Sequence, residues 1–316
     1  MATRTDEDIG ERSLPRLTVS DRFLARRRLV DRSMRWTLFL AAALSVFVTA
    51  GIIYVLLSES IRFFSQVSLW DFLTDTEWTP VFQEKHFGII TLVSGTLMTT
   101  AIALAVAIPA GTVLAIYLSE FARTEVREIA KPFLELIAGV PTVAFGYYAL
   151  LFLTPVFQTF IPGLAGFNLL VPGIVMGIMI LPYIVSLSED AMRAVPNSLR
   201  EGAYALGYTK LQTALRVVIP GAFSGVTAAY ILGMSRAVGE TMVVAIAAGT
   251  QPQLTLNPAQ QGATITAFIV QVSLGDLPHD SIGYQSIFAA GLALMVLTLI
   301  FNIGGYLLRK RYREAY

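Results

Sequence analysis

The chain has no cysteine among its 316 residues and only two histidines. The first absence excludes disulfides, thiolate metal sites and thiol catalysis. His86 and His279 stand apart in loops, where a solvated side chain is expected, and no metal-ligand cluster surrounds either. No G-x-x-x-x-G-K-S/T stretch occurs, so the chain does not bind ATP through a P-loop. Charged residues make up only 14% of the sequence, and no row of carboxylates of the proton-relay type runs through its apolar stretches. The alternating ten-residue pattern of a membrane barrel is also missing. These absences remove thiol chemistry, P-loop ATP binding and a proton relay from consideration.

What is present is apolar. Hydrophobic residues account for 55% of the chain, which places it among integral membrane proteins. Six stretches are long enough to span: 34–58, 88–118, 132–153, 169–187, 219–250 and 285–308. All but the fourth, which is near the limit, exceed the roughly 20 residues needed to cross a hydrocarbon core of about 30 Å. Lipid offers no hydrogen-bond partners to a backbone, so these must be helices. The expected fold class is all-α integral membrane, with six transmembrane helices. The chain then divides into a basic tail at 1–33, a first span at 34–58 and an outer loop at 59–87. A core at 88–308 follows, with a polar loop at 188–218 inside it, and a short basic tail at 309–316.

Charge fixes the expected orientation. Nine arginines precede or open the first span, six of them between Arg22 and Arg35. Arg123, Arg127 and Lys131 lie between spans two and three, and Arg193, Arg200, Lys210 and Arg216 fall in the polar loop. Arg309, Lys310, Arg311 and Arg313 close the chain, whereas the opposite face holds only Arg62 and Lys85. By the positive-inside rule both termini and the polar loop are cytoplasmic. A cleaved signal peptide is not expected, because the tail is long and polar and the first span exceeds an h-region.

The polar loop has helix signals of its own. Ser198 and Glu201 stand in the S-x-x-E relation of a capping box, which predicts a helix beginning at Leu199. Gly207 stops that helix, and Thr209 with Gln212 opens a second through the same device. The local pattern fits either a solvated loop or a compact helix–turn–helix that receives force from a soluble partner. The segment resembles the EAA loop of ABC importer permeases at Glu201, Gly202 (where that family usually has Ala), Ala203, Gly207, Val217, Ile219 and Pro220. A second stretch, Arg236-Ala237-Val238-Gly239-Glu240-Thr241-Met242, is similar to the RALGETM segment of phosphate-transport permeases of the PstC type. Leu134 to Thr142 likewise resembles the third span of that subunit, and the likeness extends over roughly residues 85–310.

Arg236 is the one basic residue that orientation leaves unexplained. If span five enters near residue 221, Arg236 lies about 22 Å along it at about 1.5 Å per residue. An uncompensated arginine at that depth costs about 2.5–3.5 kcal/mol on insertion scales. Glu240 follows four residues later, on the same helical face, and can pair with it. Two roles are open: a self-neutralising clamp of the bundle, or a polar element of a translocation path. Guanidinium suits an oxyanion in the second role, because its donors match oxyanion geometry and its charge is fixed.

The resemblance implies a transmembrane permease subunit in the cell inner membrane with a five-helix MetI-like core behind an additional N-terminal span. Arg236, Glu240 and Thr241 would belong to the substrate pathway, and Glu201, Ala203, Gly207 and Pro220 to the coupling helix that docks on an ATPase. It further implies a heterodimer with a similar permease, two ATP-binding subunits and an extracytoplasmic phosphate-binding protein, with inorganic phosphate as cargo. No cofactor is expected in this chain, since ATP belongs to the partner, and no nucleic-acid partner is expected. Another oxyanion, such as sulfate, molybdate or tungstate, is the nearest alternative. A stand-alone secondary transporter or channel is a second, against which the coupling loop and the missing inverted repeats both count.

Smaller expectations concern packing. Pro109, Pro141 and Pro182 fall inside spans two, three and four, as pivots or packing kinks. Gly173/Gly177 and Gly221/Gly225 form small-xxx-small faces. Glu135 fits a buried pairing partner or, better given its nearness to the cytoplasmic surface, a solvated carboxylate. Trp70, Phe72, Trp78 and Phe82 fit a sticky outer face or an interfacial aromatic belt equally well.

Overall fold

The computed structural model describes residues 21–80, 82, 84–275, 277–278 and 280–311. Most of the N-terminal basic tail and His279 lie outside the described residues. The chain divides into two compact units, the first ending at Val55 and the second beginning at Leu56. Helix α1, Asp21–Phe64, opens the chain; its large apolar side chains between Leu29 and Val55, including Phe39, Phe47 and Tyr54, are exposed, as a lipid-facing span requires.

The second unit is built around a pair of helices. α2 is a short helix, Leu69–Thr74, and α3 runs over Ile90–Ile116 with a π-helical turn at Tyr117–Phe121. After α4, Thr124–Gly139, come α5, Thr142–Tyr148, and α6, Thr154–Phe160, joined by a π turn at Ala149–Leu153. α7, Leu170–Arg193, is the most buried of these and packs along α3. The reason lies in two glycines on one face: a Cβ at Gly173 would sit 2.8 Å from Ile102, and one at Gly177 2.8 Å from the Ala103 carbonyl. Small residues let the two backbones approach where lipid supplies no hydrophobic drive. Val175, Met176, Ile180 and Ile184 then fill the centre of the bundle.

Beyond α7 lie α8, Asn197–Ala205, and α9, Lys210–Thr213, followed by a π turn at Ala214–Val218 and α10, Ile219–Gly221. α11, Phe223–Val238, packs on α7, α3 and α14. α12, Met242–Ala247, α13, Ile265–Ser273, and α14, Ile282–Arg311, complete the unit.

Among the described residues, five helices are long and apolar enough to cross a membrane: Arg27–Phe64, Ile90–Phe121, Thr142–Phe160, Leu170–Arg193 and Ile282–Arg311. A sixth crossing is made only if Lys210–Gly221 and Phe223–Val238, bent by 74°, count as one span. Two expected spans are therefore corrected. The third is not 132–153: the helix breaks at Pro141, whose missing N–H and fixed φ start α5 instead of kinking a continuous span. Upstream, α4 is amphipathic and buries no residue, with Ile129, Phe133 and Leu136 exposed along one side. The fifth is not one helix over 219–250, because the chain leaves helical geometry at Ala222 and again at Gly239. Pro109 and Pro182 do lie inside helices. The polar loop begins later than residue 188, since α7 continues to Arg193 and buries Ser188 and Glu189.

The opposite end of the unit is closed by aromatic rings. Phe63, Phe72, Trp78, Phe87 and Phe268 meet edge to face, the Trp78 and Phe268 centroids 5.0 Å apart. Phe72 and Trp78 are thus core rather than sticky surface, while Trp70 and Phe82 are exposed. An antiparallel bridge between Trp78 and Phe87 fixes this loop.

Candidate functional site

Two places carry the residues singled out in the sequence. The first is the α8–α9 segment. α8 starts at Asn197, directly after Pro196, rather than at Leu199. Pro196 fixes the backbone at φ −57°, so Ser198 falls inside the first turn and the expected Ser198–Glu201 capping box does not form. The stop is as expected: Gly207 takes φ +84°, a left-handed conformation natural to glycine. The Tyr208 N–H donates to the Ala203 carbonyl at 3.1 Å and the Gly207 N–H to the Tyr204 carbonyl at 2.9 Å, a complete Schellman closure. The second box forms too, with the Gln212 N–H donating to Thr209 Oγ1 at 3.3 Å and the Thr209 N–H to Gln212 Oε1 at 2.9 Å.

Of the residues in α8 only Ala203 is buried; Glu201, Gly202, Leu206 and Gly207 face outward. Pro220 lies in the first turn of α10 and is exposed. The helix is held from beneath by Arg200, which the sequence did not single out. Its guanidinium donates to both oxygens of Glu120, at 3.2 and 2.9 Å, and to the Val195 and Met192 carbonyls, at 2.6 and 2.8 Å. Nearby, Glu189 is fully buried and pairs with Lys131 and, at 3.1 Å, with Arg127 Nε of α4. Lys131 also reaches Asp190 at 2.8 Å, so the charged face of α4 is tied to the end of α7. Glu135 is exposed, as a solvated carboxylate should be.

The second place is the break after α11. The spacing of Arg236 and Glu240 predicts a pair on one helical face, but α11 ends at Val238 with Gly239 as its cap. Glu240 therefore lies outside the helix, and Arg236 has no ion-pair partner among the described residues. The guanidinium instead lies over the Tyr183 ring of α7, its carbon 4.5 Å from the centroid. Arg236 Nε is buried and receives no hydrogen-bond partner. Glu240, nearly buried, turns the other way: its carboxylate accepts the Val243 N–H at 3.4 Å at the start of α12, and its carbonyl accepts Thr266 Oγ1 at 2.6 Å. Thr241 Oγ1 donates to the Gly239 carbonyl at 3.2 Å. Arg236 and Glu240 are thus close in sequence and held differently: one is a stacked cation with an unpartnered Nε, the other accepts at a helix start.

Outside the spans, His86 is not a solitary loop histidine. Its Nδ1 lies 2.9 Å from Asp75 Oδ2 and its Nε2 3.8 Å from Glu77. The Asp75 hydrogen bond raises the histidine's pKa above its ordinary 6.5, in spite of partial desolvation. Desolvation pushes Asp75 up, but the Glu77 N–H and His86 outweigh it and leave the carboxyl below its ordinary 3.8.

A bundle of lipid-length helices with a surface-mounted helix–turn–helix and a broken, charged helix inside defines the class as a polytopic membrane permease. The chain belongs to the family of binding-protein-dependent transport system inner membrane components, whose pattern it matches over residues 107–314. It is 32% identical over 290 residues to the probable ABC transporter permease protein YqgH of Bacillus subtilis, covering 90% of this chain and 94% of that one. To the phosphate transport system permease protein PstC of Mesorhizobium japonicum it is 32% identical over 324 residues, covering 95% and 97%. Among solved structures, a bacterial ABC transporter that imports the acidic polysaccharide alginate aligns with a TM-score of 0.62 at 16% identity, over 91% of this chain and all of that one. The inward-facing MetNI methionine ABC transporter aligns at 0.53 and 16% identity, over 72% and 95%. At that identity these two establish the fold alone, and the fold is the MetI-like one expected.

Proposed function

We propose that the chain is one transmembrane subunit of an ATP-driven inorganic phosphate importer and forms half of its translocation pathway. The observation that carries this reading is the likeness to phosphate permeases over 95% of the chain, which includes the Arg236–Met242 segment. The partners are a second homologous permease, two ATP-binding subunits and an extracytoplasmic phosphate-binding protein. ATP is bound by the partner, and this chain holds no cofactor. Both termini and the α8–α9 segment face the cytoplasm, in accord with the basic residues around them. The outward face of α8, with Glu201 and Gly207 around buried Ala203, docks on the ATPase, together with exposed Pro220 of α10.

Arg236 and Thr241 line the path, with Glu240 shaping it. A stacked guanidinium with no carboxylate beside it retains its full charge for a passing oxyanion, in a setting where charge-assisted bonds are strong. Tyr183 lowers the cost of holding that charge inside the bundle without competing for its N–H groups. ATP binding draws the docked helices together and opens the path outward; hydrolysis reverses it. Guanidinium alone does not choose between phosphate and other tetrahedral oxyanions, so competition decides. Uptake of labelled phosphate by the reconstituted complex should be suppressed by excess arsenate and untouched by sulfate or molybdate. Suppression by sulfate or molybdate would move the assignment to another oxyanion.

A further inference from the structure

α8 is nine residues long and buries a single side chain, Ala203. Leu199, half-buried against the cluster of Met192 and Val195, is its other apolar contact, and packing that thin holds the helix near the bundle without fixing its rotation. Arg200 supplies what packing does not. Its side chain is 13% exposed and that of Glu120 6%, and the two meet as a fork on a carboxylate across 80 residues of sequence. Such a contact fixes orientation as well as distance. Glu120 sits in the π turn that prolongs α3, and the carbonyls of Met192 and Val195, which the same guanidinium grips, lie at the end of α7. One side chain thus ties α8 to the ends of both helices of the central pair. α7 in turn carries Tyr183, on which Arg236 is stacked.

We propose that Arg200 is a positioning residue for transport, a rigid strut that passes motion of α8 to α3 and α7 and so to the ring beneath Arg236. The inference rests on α8 being the ATPase-docking helix. Removing one partner alone would leave a buried charge uncompensated and risk misfolding. The test therefore removes both, as Glu120→Cys/Arg200→Cys, and exploits the absence of native cysteine. The complex is assembled with cysteine-free partners and reconstituted in vesicles. Phosphate moved per ATP hydrolysed is then measured before and after bridging the two thiols with a bismaleimide, alongside the melting temperature. The untreated variant should keep its ATPase subunits and hydrolyse ATP but move about tenfold less phosphate per ATP, within the range of typical site-to-site couplings. Bridging should restore the ratio, which a purely stabilising contact would not require. An untreated variant that couples like the unaltered chain, or a bridged one that stays uncoupled, overturns the strut alone. An unaltered chain that does not retain an ATP-binding subunit overturns the docking reading, and the strut with it.

Discussion

Two inward-facing arginines, 36 positions apart, are treated in opposite ways. Arg200 spends its guanidinium on a carboxylate and two carbonyls, and each of its three nitrogens has an acceptor. Arg236 is given only an aromatic face, and its Nε has no partner. A saturated guanidinium is a fastener, because moving it breaks several charge-assisted bonds at once. An unsaturated one is costly to keep, and it persists where a ligand can complete it. The difference fits the two proposed roles, coupling at the α8 end of the unit and anion contact at the break after α11.

The comparison can be broken first at the mechanical end. Gly207→Val places a β-branched residue at φ +84°, which should cost about 1–2 kcal/mol in the α8 closure. Uptake should fall about tenfold while membrane insertion, followed by reporter fusions, is unchanged. Glu201→Lys should act differently: Glu201 is exposed and caps nothing within the chain, so its reversal should leave the fold intact and weaken copurification of the ATP-binding subunit. Wild-type copurification in Glu201→Lys would remove that residue from the docking surface.

At the anion end the stack can be tested without touching the charge. Tyr183→Phe keeps an aromatic face and should stay within about twofold of normal uptake, whereas Tyr183→Leu should lose about fivefold, the worth of a partly buried cation–π contact. The loss should appear in KM for phosphate rather than in the maximal rate. Equal behaviour of the two variants would mean that the ring only fills space.

The smallest effect lies far from both arginines. The raised pKa of His86 gives a stabilisation that is complete below pH 6.5 and lost as pH rises through the raised value. The lowered pKa of Asp75 gives one that is complete above pH 3.8 and lost as pH falls through the lowered value. The melting-temperature difference between the unaltered chain and Asp75→Asn should therefore be largest between pH 3.8 and 6.5 and shrink on either side. A difference that keeps growing above neutral pH would show that the pair is not what holds this loop.

The parts of the fold that were legible in the sequence are those decided within a few residues. The Thr209–Gln212 box and the Gly207 stop depend on local backbone alone, and both form. The same rule failed at Ser198–Glu201 because Pro196, two residues upstream, had already set the start of the helix. Arg236 and Glu240 share a helical face only while the helix continues, and Gly239 ends it between them. Four apolar runs matched crossing helices, but composition cannot separate a span from an amphipathic helix such as α4 that adjoins one across a proline. Arg200–Glu120 and the Glu189 cluster join residues roughly 60 to 80 positions apart, and no spacing within the chain announces them.

Under the proposed function Arg236 is held for the anion and not for Glu240. The most direct test is phosphate uptake by the reconstituted complex carrying Arg236→Gln, alone and together with Glu240→Gln, with complex assembly measured in parallel. Both variants should assemble, and both should fall at least about thirtyfold in uptake, the loss of roughly 2 kcal/mol or more of charge-assisted bonding to the anion. Near-normal uptake by the double variant would contradict the account and show that the anion does not depend on the Arg236 charge.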